Sequence, residues 1–243
     1  MTSRESTPFL TRSGDRYDGR LDDLAKVLAF GAIQWPWLLR SLWGGWKRDK
    51  AALLAKLDLA ADALPNLGSW KADTGFLHQI VDRIAVKPVR QVVELGSGAS
   101  TLVIAKALAL HGGGALTSYD QHPDFVAATK AWLSEHNLNA ELLVAPLELP
   151  PPNWGGRWYR LSHVPAAIDL LIIDGPHWTL NPMVRGAAET LFDRIAPGGT
   201  IMLDDAARPG ERVVARRWKR DWPQFDWRYR NGIKGTLIGT RRR

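Results

Sequence analysis

From residue 90 onward, short apolar runs alternate with longer stretches whose apolar residues recur every three or four positions. That alternation is the pattern of strands and helices wound into parallel βαβ units. The runs Gln91 to Leu95, Ala115 to Tyr119, Ala140 to Val144, Ile168 to Ile173 and Thr200 to Leu203 predict strands. Helical stretches lie between them near Thr101 to His111, Pro123 to His136 and Asn181 to Ile195. The tail changes period: Phe225 to Arg230 and Gly235 to Thr240 flank a turn containing Asn231 and Gly232, which predicts an antiparallel hairpin. The expected fold is α/β, a doubly wound, mostly parallel seven-stranded sheet that ends in an antiparallel C-terminal hairpin.

Upstream, Leu21 to Leu64 also reads as helical, with breaks at Pro36 and at Gly44 and Gly45, and Pro65 closes that section. Three segments follow: a flexible leader at 1–20, a Trp-rich helical extension at 21–70, and the α/β domain at 71–243. In the extension Trp35, Trp37, Trp43 and Trp46 alternate with Leu38, Leu39 and Leu42 and precede Lys47, Arg48 and Lys50. Such a segment can cap the core with its tryptophans, lie in a membrane interface, or close over a site as a lid. The charge-free stretch between Lys26 and Arg40 falls short of the roughly 18 apolar residues of a membrane span. The polar first residues lack the pattern of a secretory signal. The expectation is a cytoplasmic protein, with any membrane contact peripheral and made through Trp35–Trp46.

Composition narrows the chemistry. With no cysteine among 243 residues, disulfides, thiolate-held metals and thiol nucleophiles are excluded. The net charge of +7 and pI near 9.9 favour anionic partners, and much of the excess sits at Arg216 to Arg220 and Arg241 to Arg243. No RNA-reading module is visible, so nucleic acid ranks below a small-molecule acceptor, and a homodimer stays open.

The segment from Val92 to Thr101 places a glycine-rich turn between a strand and a helix, as a nucleotide-binding crevice requires. A dinucleotide site wants a third glycine where Thr101 stands and no anion beside its pyrophosphate, yet Glu94 lies two residues before Gly96. S-adenosylmethionine carries an ammonium and a sulfonium, so a carboxylate at the loop attracts it. Asp120, ending the second strand, stands where an acid can accept hydrogen bonds from ribose hydroxyls.

These features resemble class I S-adenosylmethionine-dependent methyltransferases, whose fold is Rossmann-like. Glu94 to Gly98 looks like their first motif, Ser118 to Gln121 the second, Val144 to Glu148 the adenine-side loop, Asp169 to Gly175 the fourth-strand motif, and Ala196 to Asp205 the turn and fifth strand. The resemblance implies that Glu94, Gly96, Ser97, Gly98, Ser100, Thr101, Asp120, Gln121, Pro146, Leu147 and Asp174 bind the donor.

At the reacting end, Asp174, Asp204 and Asp205 should face one crevice beyond the strand ends. Three unpaired carboxylates recruit a cation, and an all-oxygen set suits Mg²⁺ or another divalent ion. The pattern is similar to catechol and caffeoyl-CoA O-methyltransferases, with Asp205 replacing an asparagine. His177 stands where those enzymes place a lysine base, and so becomes, with Asp174, a candidate catalytic group. An amino methyltransferase of the Asp-Pro-Pro-aromatic type would have an aromatic residue at 177 and no glycine at 175. The sequence therefore predicts a methyltransferase, with O-methylation of a small molecule and metal assistance. The alternatives are a metal-free methyltransferase acting on RNA and a non-catalytic protein that docks on a membrane or partner through its tryptophans. Fold and motifs name the donor rather than the acceptor.

Overall fold

A computed structural model describes residues 21–243, so the expected leader at 1–20 lies outside the described residues. Two helices open the chain, α1 (Leu21–Ser41) and α2 (Lys47–Lys56). The sheet region follows as α3 (Thr74–Val86), β1 (Gln91–Leu95), α4 (Ala99–Leu110), β2 (Ala115–Asp120), α5 (Pro123–Glu135) and β3 (Glu141–Val144). Then come β4 (Leu147–Glu148), β5 (Trp158–Tyr159), β6 (Ile168–Ile173), a 3-10 helix (Val184–Arg194), β7 (Ile195–Leu203), α6 (Pro209–Asp221), β8 (Phe225–Arg230) and β9 (Thr236–Arg241).

The main sheet runs β3-β2-β1-β6-β7-β9-β8, parallel as far as β7 and antiparallel at the β9–β8 hairpin. β1, β2, β6 and the second half of β7 are largely buried on both faces because helices cover both, and most of their positions are apolar. One half of the core lies under α2, α3 and α4, where Leu53, Leu57, Phe76, Leu77 and Leu102 are fully buried. The other half is aromatic, with Phe192, Trp218, Trp222, Phe225 and Trp227 ring against ring. The strand order reverses between β1 and β6, and the crevice at their carboxyl ends is where ligands bind in such sheets.

Several expectations need correction. Pro36 does not break α1, which runs on to Ser41. Pro36 is exposed, so the carbonyl left without its amide partner is solvated. Residues 184–194 form a 3-10 helix where an α-helix was expected, with the Gly186 amide donating to Met183 O (2.9 Å) and Thr190 Oγ1 donating to Ala187 O (2.9 Å), both three residues back. In the loop before β5, Trp154 is buried, donates to Glu189 (2.8 Å) and carries the Arg217 guanidinium over its ring. The tryptophans of the extension do not cap the core either, since Trp35, Trp43 and Trp46 are exposed. Trp37 is half-buried, beneath Arg212 of α6.

Candidate active site

β1 delivers Glu94 to the interior, fully buried. Thr101 Oγ1 and Ser118 Oγ each donate to Glu94 Oε2 (2.6 Å), and the Gly98 amide donates to Thr101 Oγ1 (2.8 Å). Glu94 thus shapes the glycine loop from behind. Burial pushes its carboxyl up to about 7, against the hydrogen bonds from Ser100, Ser118 and Thr101. Ser100 and Thr101, expected to touch the donor, are turned away into this network, because a buried carboxylate must find donors.

Asp120 ends β2 beside the loop. The Ser97 amide donates to its Oδ2 (3.1 Å) and the His122 amide to its Oδ1 (2.9 Å), which fixes the carboxylate while leaving each oxygen a lone pair. Burial raises its pKa. Gly96 (φ 97°) lets β1 pass close to the end of β6: a Cβ there would lie 2.9 Å from Gly175 N. A Cβ on Gly98 would meet nothing within 4 Å, so the loop opens onto room. Gln121 Oε1, next to Asp120, is buried without a hydrogen-bond partner. The Asp120 carboxylate and this amide oxygen suit the ribose hydroxyls of an adenosyl donor. Pro146 and Leu147 lead into the small β4–β5 ladder after β3, held by Ala145 N donating to Asp120 O (2.9 Å).

The three aspartates meet as expected. Asp174, Asp204 and Asp205 each offer an oxygen within 4.8 Å of the others. Three buried cations, not anticipated from the sequence, share the space. Arg185 contacts Asp205 Oδ2 (3.0 Å) and Asp174 Oδ1 (3.3 Å) and also donates to Asp174 O; Arg208 contacts Asp205 Oδ2 (2.8 Å). Lys234 donates to Ser69 O (3.0 Å) and Lys71 O (2.9 Å), with its ammonium 3.9 Å from Asp204 and 3.7 Å from Asp205. The formal charges of the three acids and three bases cancel. These cations compete with a divalent ion for the donor set: Asp205 Oδ2 and Asp174 Oδ1 are engaged by guanidinium groups and the Lys234 ammonium stands near Asp204 Oδ2 and Asp205 Oδ1, while Asp204 Oδ1 is buried without a hydrogen-bond partner. Only Arg208 left a trace in the sequence, three residues after Asp205 and so on the same turn; Arg185 and Lys234 come from distant segments.

The cations sort the acids. Burial works to raise Asp205, but Arg208, Lys234 and Arg185 win and hold it well below the usual carboxylate range. Burial and the Asp205 charge drive Asp204 well above that range. Asp174, also pushed up by burial and pulled down by Arg185 and Lys234, comes to about 6. His177 packs its ring 3.7 Å from that of Trp70. Burial, then Arg208 and Arg185, push it well below 6.5, so it is neutral. His177 Nδ1 lies 2.8 Å from Thr179 Oγ1 and 3.3 Å from the Thr179 amide, and Nε2 is buried without a hydrogen-bond partner.

Residues 93–206 match the family model described as "Methyltransferase domain". No curated protein matches in sequence. Among solved structures, a methyltransferase from Geobacter sulfurreducens is similar at 16% identity, covering 80% of this chain and 86% of its own, with TM-score 0.54. The O-methyltransferase from Bacillus cereus in complex with SAH is 15% identical over 89% of this chain and 100% of its own (TM-score 0.55). The O-methyltransferase TomG from Streptomyces achromogenes, involved in tomaymycin synthesis and in complex with SAM, is 14% identical over 92% and 100% (TM-score 0.51). At these identities the likeness establishes the fold.

Proposed function

We propose that the protein is an S-adenosylmethionine-dependent methyltransferase that methylates a hydroxyl of a small-molecule acceptor without a divalent ion, a reading supported by the match of residues 93–206 to the family model described as "Methyltransferase domain". The observation that carries this reading is the placement of Asp174. The amides of Asp174 and Gly175 donate to Leu95 O (2.9 and 2.7 Å), which fastens the end of β6 against the start of the glycine loop. A carboxylate with a pKa of about 6 thereby stands in the wall of the donor crevice.

When bound, the donor supplies a methyl group activated by its sulfonium. Asp120 accepts hydrogen bonds from the ribose hydroxyls, and the loop at Gly96 to Gly98 gives the backbone its close approach. Asp174 takes the acceptor's hydroxyl proton as the oxygen attacks the methyl carbon and the carbon–sulfur electrons return to sulfur. His177, held by the Trp70 ring and Thr179, is placed to hydrogen-bond the acceptor through Nε2. Arg185, Arg208 and Lys234 supply the positive potential that a metal would otherwise bring.

The test is methyl transfer from labelled S-adenosylmethionine to a panel of small hydroxylated acceptors, in chelator and with added Mg²⁺. Turnover unchanged by chelator is expected. Turnover abolished by chelator and restored by Mg²⁺ would overturn the metal-free reading.

A further inference from the structure

α1 is amphipathic in the reverse sense. At about 3.6 residues per turn, Asp23, Gln34 and Ser41 share one face, and that face is the buried one, at 8%, 0% and 6% exposure. Asp23 Oδ1 accepts from Asn181 Nδ2 (2.8 Å) and Gly31 sits beside the Trp178 ring, so this polar face rests on the loop that follows β6. The opposite face carries Leu21, Leu28 and Trp35 at seven-residue intervals, with Leu39 completing the stripe, all more than half exposed. The stripe is about 27 Å long. A helix that turns large apolar side chains outward and polar ones inward has a second apolar partner.

We propose that α1 docks the protein onto the surface of an anionic lipid bilayer. Two observations choose a bilayer over another protein. First, the stripe runs into Trp43 and Trp46, exposed and edge-to-face at 5.0 Å, the amphipathic ring type that settles at headgroup level. Second, cations collect at that end and not along the stripe. Arg40, Lys47 and Arg48 are exposed there, with Arg48 over the Trp46 ring at 5.7 Å, whereas residues 27–39 carry no charge. Basic groups beside exposed tryptophans, on a chain of net charge +7, match anionic headgroups. No helix among the described residues is long and apolar enough to cross a membrane, so α1 lies along the surface. The docking is independent of the methyl-transfer reading. It would bring residues 177–181, and the mouth of the site, within about one helix diameter of the lipid.

The test is co-sedimentation of the full chain with vesicles of phosphatidylcholine alone and of phosphatidylcholine mixed with phosphatidylglycerol, with solution mass measured by light scattering. Wild type is expected to bind the mixed vesicles, more weakly at high salt, and to be monomeric without them. The double variant Leu28→Glu, Leu39→Glu should lose about tenfold or more in partitioning. Lys47→Glu with Arg48→Glu, which leaves the stripe intact, should weaken binding to the mixed vesicles only. Failure of wild type to sediment with either vesicle would overturn the proposal. So would a dimer that the Leu28→Glu, Leu39→Glu variant dissociates, because the face would then belong to a second copy.

Discussion

Turnover is expected to fall about 10²- to 10⁴-fold in Asp174→Asn, the range a positioned general base contributes. The substitution keeps the shape of the side chain and a hydrogen-bonding oxygen toward Arg185, so the fold and the donor crevice survive while the proton acceptor is lost. The pH dependence separates this cause from a packing defect. The Asp174 carboxyl titrates at about 6 and acts in its ionised form, so wild-type kcat rises through about pH 6 and then levels off. His177 is neutral throughout that range and adds no limb. Measured kcat against pH should show this acidic limb in wild type and lack it in Asp174→Asn. Equal turnover in the two proteins would move the base elsewhere.

Arg185→Met is expected to lower the unfolding free energy by about 3–5 kcal/mol, the cost of removing one partner of a buried charge cluster. Arg185 is buried and donates to Pro176 O (3.3 Å) and Asp204 O (3.3 Å) as well as to the Asp174 and Asp205 carboxylates, so it ties the ends of β6 and β7 together. Methionine fills part of the volume but leaves those acceptors unsatisfied and Asp205 short of one counter-charge. The sign of the pH effect follows from Asp205. Its folded pKa lies below its unfolded value, so its contribution is complete above the unfolded carboxylate pKa of about 3.9 and is lost as pH falls through the folded one. Arg185 is one of three cations that hold it down, so the variant should show a smaller acid-side loss along with lower stability at neutral pH. Urea unfolding at neutral and acidic pH measures both, and a change below about 1 kcal/mol would mean the cluster is not held as described.

The sequence carried the scaffold well. β1 and β6 match the expected strands residue for residue, because strands covered by helices on both faces stay apolar at most positions. The motif residues Gly96, Gly98, Asp120 and Asp174 do converge on one crevice, since parallel strands bring their carboxyl ends to the same edge. α6 escaped notice because its buried side is narrow: Val214 and Trp218 are the main apolar anchors in an otherwise charged helix. The counter-charges of the aspartates were hidden for a different reason. Arg185 lies in the 3-10 helix, 20 positions before Asp205, and Lys234 in the β8–β9 turn, 29 positions after it, so the carboxylate cluster looks unpaired until the chain is folded. The orientation of α1 was equally unreadable, because counting tryptophans says nothing about which face of a helix turns inward.

The central claim, a donor crevice built on the glycine loop and Asp120 with no metal in it, is tested most directly by calorimetric titration of S-adenosylmethionine in chelator, with wild type and Asp120→Ala. Wild type is expected to bind under these conditions. Asp120→Ala should bind about 10- to 100-fold more weakly, as the loss of one or two hydrogen bonds to a carboxylate implies. No binding by wild type, or equal binding by the variant, would contradict the site described.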